Sequence, residues 1–246
     1  MAHRQLSESG FYHITVRSAG QIALFEDDDD RRKYLSLLKA ARDKYNARII
    51  AWVLMTDHVH LIVDFGENPQ NISAFMHSID HPYSCYFNAK TGRSGTLFQS
   101  VFWSKPLIDD SQLIATTYYV HMNPENACIA PMREYRWSSY REYAGLQWAV
   151  DTSTVLELFG SFEAFDAYEG SPKDVVSRAS SVVPQDGDVL ARAMALAGVK
   201  TSDELRALQK GQRDELIRKL ASEGNSARKI ARSFGIGHAT VSRIIK

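Results

Sequence analysis

Apolar and polar residues alternate from Phe11 to Arg17, the spacing of a half-buried strand. The period changes to a helical one over Arg31 to Tyr45, where Tyr34, Leu37, Leu38 and Ala41 recur. The acidic run Asp27 to Asp30 stands where that helix begins. Carboxylates there are favoured by the helix dipole and by capping, so a cap is the expected role ahead of metal binding. Arg48 to Leu54 and His58 to Phe65 are apolar runs joined by Met55-Thr56-Asp57 and predict a hairpin. Asn71 to Ala89 predicts a second helix, bent or broken at Pro82, followed by a turn at Gly92 to Gly95 and a further strand or hairpin over Thr96 to Ile108.

Strand, helix, strand, strand, helix, strand is the order of a split βαβ sandwich. The fold class expected is therefore α+β, an antiparallel sheet with helices on one face, of the ferredoxin or RRM-like kind. Asp109-Asp110-Ser111 then caps an apolar-periodic helix from Leu113 to Met122, with Pro124 soon after, and the aromatic stretch Trp137 to Tyr143 is expected to pack back on the domain. Ser177 to Asp188, with Pro184 and Gly187, reads as a linker, and a second, all-helical module starts near Val189. The division expected is 1–150 for the main domain, 151–188 for a helical extension and linker, and 189–246 for the second module.

Composition narrows the class. The 246 residues are 44% hydrophobic and 24% charged, which suits a globular chain rather than a disordered one. No apolar run approaches the ~20 residues of a membrane span, and Met1 to Gly10 lacks the apolar core of a signal peptide, so no membrane partner and a cytoplasmic location are expected. Cys85 and Cys128 lack zinc spacing and read as structural thiols of a reduced compartment. The zero net charge is unevenly spread: residues 1–150 carry 15 Lys and Arg against 16 Asp and Glu, residues 151–202 carry 4 against 8, and residues 203–246 carry 10 against 5. A polyanion partner is thus suggested for the tail, whereas any nucleic-acid site in the first part must be a local patch.

The segment Asp57-His58-Val59-His60-Leu61 places two imidazoles on one face of a strand and Val59 on the other. Alone, that pattern is evenly balanced between metal binding and two satisfied polar contacts. Tyr118-Tyr119-Val120-His121-Met122-Asn123-Pro124 offers a third ligand and a nucleophile, because Tyr119 and Asn123, four apart, share a helical face. His58, His60 and the Asn123 amide oxygen form a neutral ligand set with open positions, suited to Mg²⁺ or Mn²⁺ and acceptable to zinc or nickel. Phosphodiester transfer needs such a cation together with a nucleophile. Tyrosine's ordinary pKa near 10 requires local deprotonation, for which Asp57 and His121 are the candidate bases, and Tyr118 is the rival nucleophile.

Four spaced motifs carry a resemblance: Trp52-Val53-Leu54-Met55-Thr56-Asp57-His58-Val59-His60-Leu61, Gly95-Thr96-Leu97-Phe98-Gln99-Ser100, Tyr119-Val120-His121-Met122-Asn123-Pro124 and Trp137-Ser138-Ser139-Tyr140. Over about residues 10–145 the chain resembles the single-tyrosine (Y1) transposases of the HUH superfamily, the IS200-like enzymes, and within them the REP-associated tyrosine transposases. The resemblance implies that Tyr119 attacks hairpin-associated single-stranded DNA and leaves a 5′-phosphotyrosine link and a free 3′-hydroxyl. It also implies that His58, His60 and Asn123 hold the divalent ion. A monomer is expected from that branch. The chain departs from the family where a basic stretch would stand: it has Ile79-Asp80-His81-Pro82, and Val101-Phe102-Trp103 replaces the usual Arg-Phe-Lys. Fewer cations mean fewer phosphate contacts. Trp103 can stack on a base, although an edge or core tryptophan is the commoner role.

Ser226 to Ile244 resembles a helix-turn-helix. Ala231 is small where two helices cross, Gly235 permits a left-handed turn, and Ile236, Val241 and Ile244 fit the core face, with Leu205 to Ala221 as the supporting helix. His238, Thr240, Ser242 and Arg243 are then expected toward the major groove of duplex DNA, and Arg228, Lys229 and Arg232 toward phosphates. The leading reading is a metal-dependent transposase that cuts and rejoins single-stranded DNA. The alternative is a non-catalytic DNA-binding regulator derived from one. A hydrolase of small phosphates would explain neither the tail nor the tyrosine.

Overall fold

The computed structural model describes residues 6–99, 101–146, 148–168, 187–199 and 201–245. Four strands, β1 (Phe11–Arg17), β2 (Arg48–Leu54), β3 (His58–Asp64) and β4 (Trp103–Pro106), form one antiparallel sheet in the order β2-β3-β1-β4. The histidine strand β3 is central, as expected. Helices α1 (Asp28–Tyr45) and α2 (Ile72–Thr91) cover one face, where Ile14, Val59 and Leu61 meet Tyr34, Leu38, Phe75 and Ile79. The Asp run caps α1: the Asp27 carboxylate accepts from the amides of Asp29 at 2.9 Å and Asp30 at 3.1 Å, and Asp30 returns the bond in a capping box.

A third helix, α3 (Asp110–Asn126), lies on the opposite face and packs Leu113, Ile114 and Val120 on Ile50, Val53 and Ile62. Short helices α4 (Tyr140–Tyr143), α5 (Ser153–Phe159) and α6 (Phe162–Asp166) complete this second core through Tyr143, Val155 and Phe165. The segment before α4 packs back as expected: the Leu54 amide donates to the Trp137 carbonyl and the Ser139 amide to that of Trp52, both at 2.9 Å, which covers the outer edge of β2. Outside the sheet, α7 (Gly187–Ala197), α8 (Ser202–Arg206), α9 (Lys210–Ser222), α10 (Ala227–Phe234) and α11 (His238–Ile244) enclose a third core around Leu205, Ile217, Ile230, Phe234 and Val241.

Three expectations change. Pro82 does not end α2, because Phe75, Ile79, Tyr83 and Phe87 anchor the helix on both sides of the missing amide. The strand expected over Thr96 to Ile108 is shorter: Gln99 and Leu97 bond to the end of β1, and regular pairing resumes only at Trp103. The supporting helix expected over Leu205 to Ala221 is two helices, α8 and α9. Most of the linker expected over 177–188 lies outside the described residues.

Candidate active site

Alternation along β1 and β3 turns His13, Thr15, His58 and His60 toward the α3 face, because Val59 and Leu61 are taken by the other core. Thr15 and His60 are cross-strand partners. His60 Nδ1 lies 3.0 Å from Thr15 Oγ1 and 2.9 Å from Nε2 of His13, whose ring stacks on that of His60 at 5.0 Å. Burial lowers the His60 pKa to about 3, with His13, His58 and Arg17 adding to it. Burial likewise lowers that of His13 to about 4, with Lys105 adding. Both rings are therefore neutral near pH 7. With its Nδ1 proton donated to His13 or Thr15, His60 keeps a lone pair on Nε2, and that atom is buried without a hydrogen-bond partner. Because His60 also lines the cleft beneath Tyr119, that unpartnered nitrogen is open to a ligand entering there.

His58 stands 5.0 Å from His60 with its ring turned by 88°. Its Nδ1 is 2.7 Å from Asp57 Oδ1, which leaves Nε2 as the nitrogen free to bind a ligand. Partial burial works to raise the Asp57 pKa, but the hydrogen bond and charge of His58, aided by Arg17, hold it below the usual carboxylate range. Asp57 thus orients the His58 ring.

Tyr119 projects from α3 over His60 and His13. Its ring is 5.5 Å from His60 and 6.0 Å from His13, edge-on to both, and the residue is 45% exposed. Tyr118, rotated by about 100° on the helix, packs against Tyr168 at 5.0 Å instead. Asn123, one turn after Tyr119, donates from Nδ2 to the Tyr119 carbonyl at 2.7 Å, so Oδ1 is the atom it offers a cation. By donor chemistry His58 Nε2, His60 Nε2 and Asn123 Oδ1 would suit a hard or borderline divalent ion, and of the three His60 lines the cleft beneath Tyr119. Among the described residues no three His, Cys, Asp or Glu side chains group to hold a metal.

His121 is a correction. Two residues beyond Tyr119, it faces the other side of α3, fully buried among Tyr140, Tyr143 and Phe165, with Nε2 at 2.8 Å from Ser139 Oγ. Burial lowers its pKa to about 3, so it is a core histidine and no base for Tyr119. His13 and Thr15 were missed. The signal was present, because alternation in Phe11 to Arg17 puts both on one face of a strand that the sandwich order sets beside β3.

Between α3 and the sheet runs a cleft of about 670 Å³ that contains His13, His60, Trp103, Lys105, Thr116 and Tyr119.

In the tail, Gly235 has φ +65° between α10 and α11, and Ala231 and Val241 are buried. Its exposed face differs from expectation. Residues expected toward a groove face the main domain. The His238 amide donates to the Asp110 carboxylate at 3.0 and 3.1 Å, Thr240 is buried, and Ser242 bonds His238 at 3.4 Å. Arg243 Nη2 reaches Asp64 at 2.6 and 2.7 Å and its Nη1 donates to the Ser9 carbonyl. Arg48 also holds the buried Asp64, at 2.5 Å. Gly10, at φ +83°, lies so close that a Cβ there would come within 2.6 Å of Asp64 and 2.9 Å of Arg243. Lys229 is partly exposed, and the side chains of Arg228 and Arg232 lie outside the described residues.

Residues 7–123 match the IS200-like transposase family. The fold is similar to that of a REP-associated tyrosine transposase solved bound to a REP hairpin, with a TM-score of 0.51 and 18% identity, covering 62% of this chain and 93% of that one. No curated protein matches the chain. No described helix is long and apolar enough to cross a membrane.

Proposed function

We propose, because residues 7–123 match the IS200-like transposase family, that the chain cuts and rejoins hairpin-associated single-stranded DNA with Tyr119 as nucleophile. The Tyr119 oxygen attacks phosphorus, the bond to the departing 3′ oxygen breaks, and a 5′-phosphotyrosine link replaces the phosphodiester. One phosphoester is exchanged for another, so the step needs no ATP and can run backward. The observation that carries this reading is the buried, unpartnered Nε2 of His60 beneath the exposed ring of Tyr119.

His58, His60 and Asn123 would hold Mg²⁺ or Mn²⁺, which when bound neutralises charge on the scissile phosphate. Asp57 on His58, and His13 with Thr15 on His60, engage Nδ1 of each ring, so that Nε2 of each would be left for the ion. Tyr119 and the histidines that it overlies belong to one chain, which supports action as a monomer. For the tail we propose duplex DNA binding. Because His238 and Arg243 are engaged by Asp110 and Asp64, that function requires α11 to leave the main domain.

Labelled single-stranded DNA bearing hairpins from the protein's own locus, incubated with Mg²⁺ or Mn²⁺ and run on a denaturing gel, tests the central step. The expected result is a covalent protein–DNA band that Tyr119→Phe abolishes. Duplex binding without any such band would instead indicate the regulator.

A further inference from the structure

A tryptophan buries a large apolar ring, and one left open to water beside a charged cleft invites a question about its partner. Trp103 is 54% exposed and Val101 75% exposed. Both line the cleft that holds Tyr119, which places three of the exposed large side chains in one place. Register explains the placement. Trp103 pairs with Thr15 and Lys105 with His13, so both side chains stand on the sheet face that carries the histidines. The Trp103 ring meets His13 edge-to-face at 5.6 Å, which holds the indole at the rim of the site. The two edges of the sheet also differ. Trp137 to Ser139 cover β2, whereas among the described residues no strand pairs with the outer side of β4.

We propose that Trp103 and Lys105 form a nucleotide site: a single-stranded base stacks on the indole, and an adjoining phosphate pairs with Lys105, next to the phosphate that Tyr119 attacks. The identity of the strand rests on the function proposed above. An aromatic ring with cations nearby, Lys105 beside it and Arg17 across the same cleft, is the pairing that grips unpaired nucleotides whatever their sequence, since each base offers a π-face and each linkage a charge. The cleft walls set those cations and the polar groups of His13, Thr15 and Gln99 beside the apolar Val101 and Phe102, a mixture that suits the charged backbone and flat bases of a single strand.

Anisotropy of two labelled 12-mers tests this with the full chain and no added metal: oligo(dT), and an abasic oligomer of equal charge. Trp103→Ala is expected to weaken oligo(dT) binding by roughly five- to one-hundred-fold and to leave the abasic oligomer unaffected, while Trp103→Phe retains most of the affinity. Equal losses on both oligomers, or no loss, would overturn the site. A change of oligomeric state in Trp103→Ala would overturn it too, by assigning the open edge to a second copy of the chain. The covalent-band assay separates this proposal from the one before it. Base-dependent binding through Trp103 with no covalent band would remove the cleavage reading alone, and a band with Trp103-independent binding would remove the nucleotide site alone.

Discussion

The face that carries Tyr119 and the joint that carries Arg243 both bury polar groups, and they differ in whether those groups have partners. At the joint, the Asp64 side chain, 1% exposed, is met by Arg243 and Arg48, and the Asp110 carboxylate receives the amide at the start of α11. At the catalytic face, Nε2 of His60 is buried with nothing bonded to it, and Trp103 and Tyr119 stand open to water. Desolvating a polar atom without a hydrogen bond costs about 1–3 kcal/mol. Nδ1 of His121 is unpartnered as well, but it is sealed in the core, whereas His60 lines a cleft. The joint is closed by its own charges, and the face under Tyr119 is open to a ligand.

The sharpest way to break this comparison is to remove the unpartnered group. His60→Ala is expected to abolish Mn²⁺ binding measured by electron paramagnetic resonance, and His13→Ala, which removes only the group behind the ligand, to weaken it about 10- to 100-fold. Unchanged Mn²⁺ affinity in His60→Ala would make the catalytic face another closed joint. At the joint itself, Arg243→Ala strands part of a buried charge. Removing one partner of a buried pair costs about 3–5 kcal/mol, and the loss here should fall below that range because Arg48 remains on Asp64. Urea unfolding measures it, and a variant as stable as the parent would show that α11 is not held there.

A smaller effect comes from pH. His121 is buried neutral with its pKa lowered to about 3 by desolvation, so the stability it contributes is fully present above the ordinary imidazole value near 6.5 and is lost as pH falls toward 3. By pH 5 the loss amounts to about 2 kcal/mol, and His121→Gln should flatten the dependence of the urea midpoint on pH. The smallest effect is expected at the joint's second contact. Asp110→Asn weakens the hold on α11 and should raise duplex affinity by several-fold, about 1 kcal/mol, as read by anisotropy with a 30-base-pair duplex. Equal affinities would mean that docking and duplex binding do not compete.

Much of the catalytic face was legible in the sequence because it depends on local periods. Alternation placed His58 and His60 together, and the helical interval placed Asn123 one turn after Tyr119. The same helical arithmetic, carried two residues on from Tyr119, turns His121 into the core. His13 required strand order and register as well as alternation, since it meets His60 across two strands. The joint was beyond reach by any local rule: Arg243 and Asp64 are separated by 179 positions, and nothing near either residue marks the other. Basic residues on a short helix near a turn look alike whether they await phosphate or already hold a carboxylate. Pro82 was misjudged for a similar reason, because apolar anchors on both sides outweigh one absent hydrogen bond.

The most direct test of the central claim is to digest the covalent protein–DNA species and locate the attached nucleotide by mass spectrometry. The account predicts a phosphodiester on Tyr119, the ring above His60. Attachment at Tyr118, which packs on Tyr168, or at any other residue would contradict it.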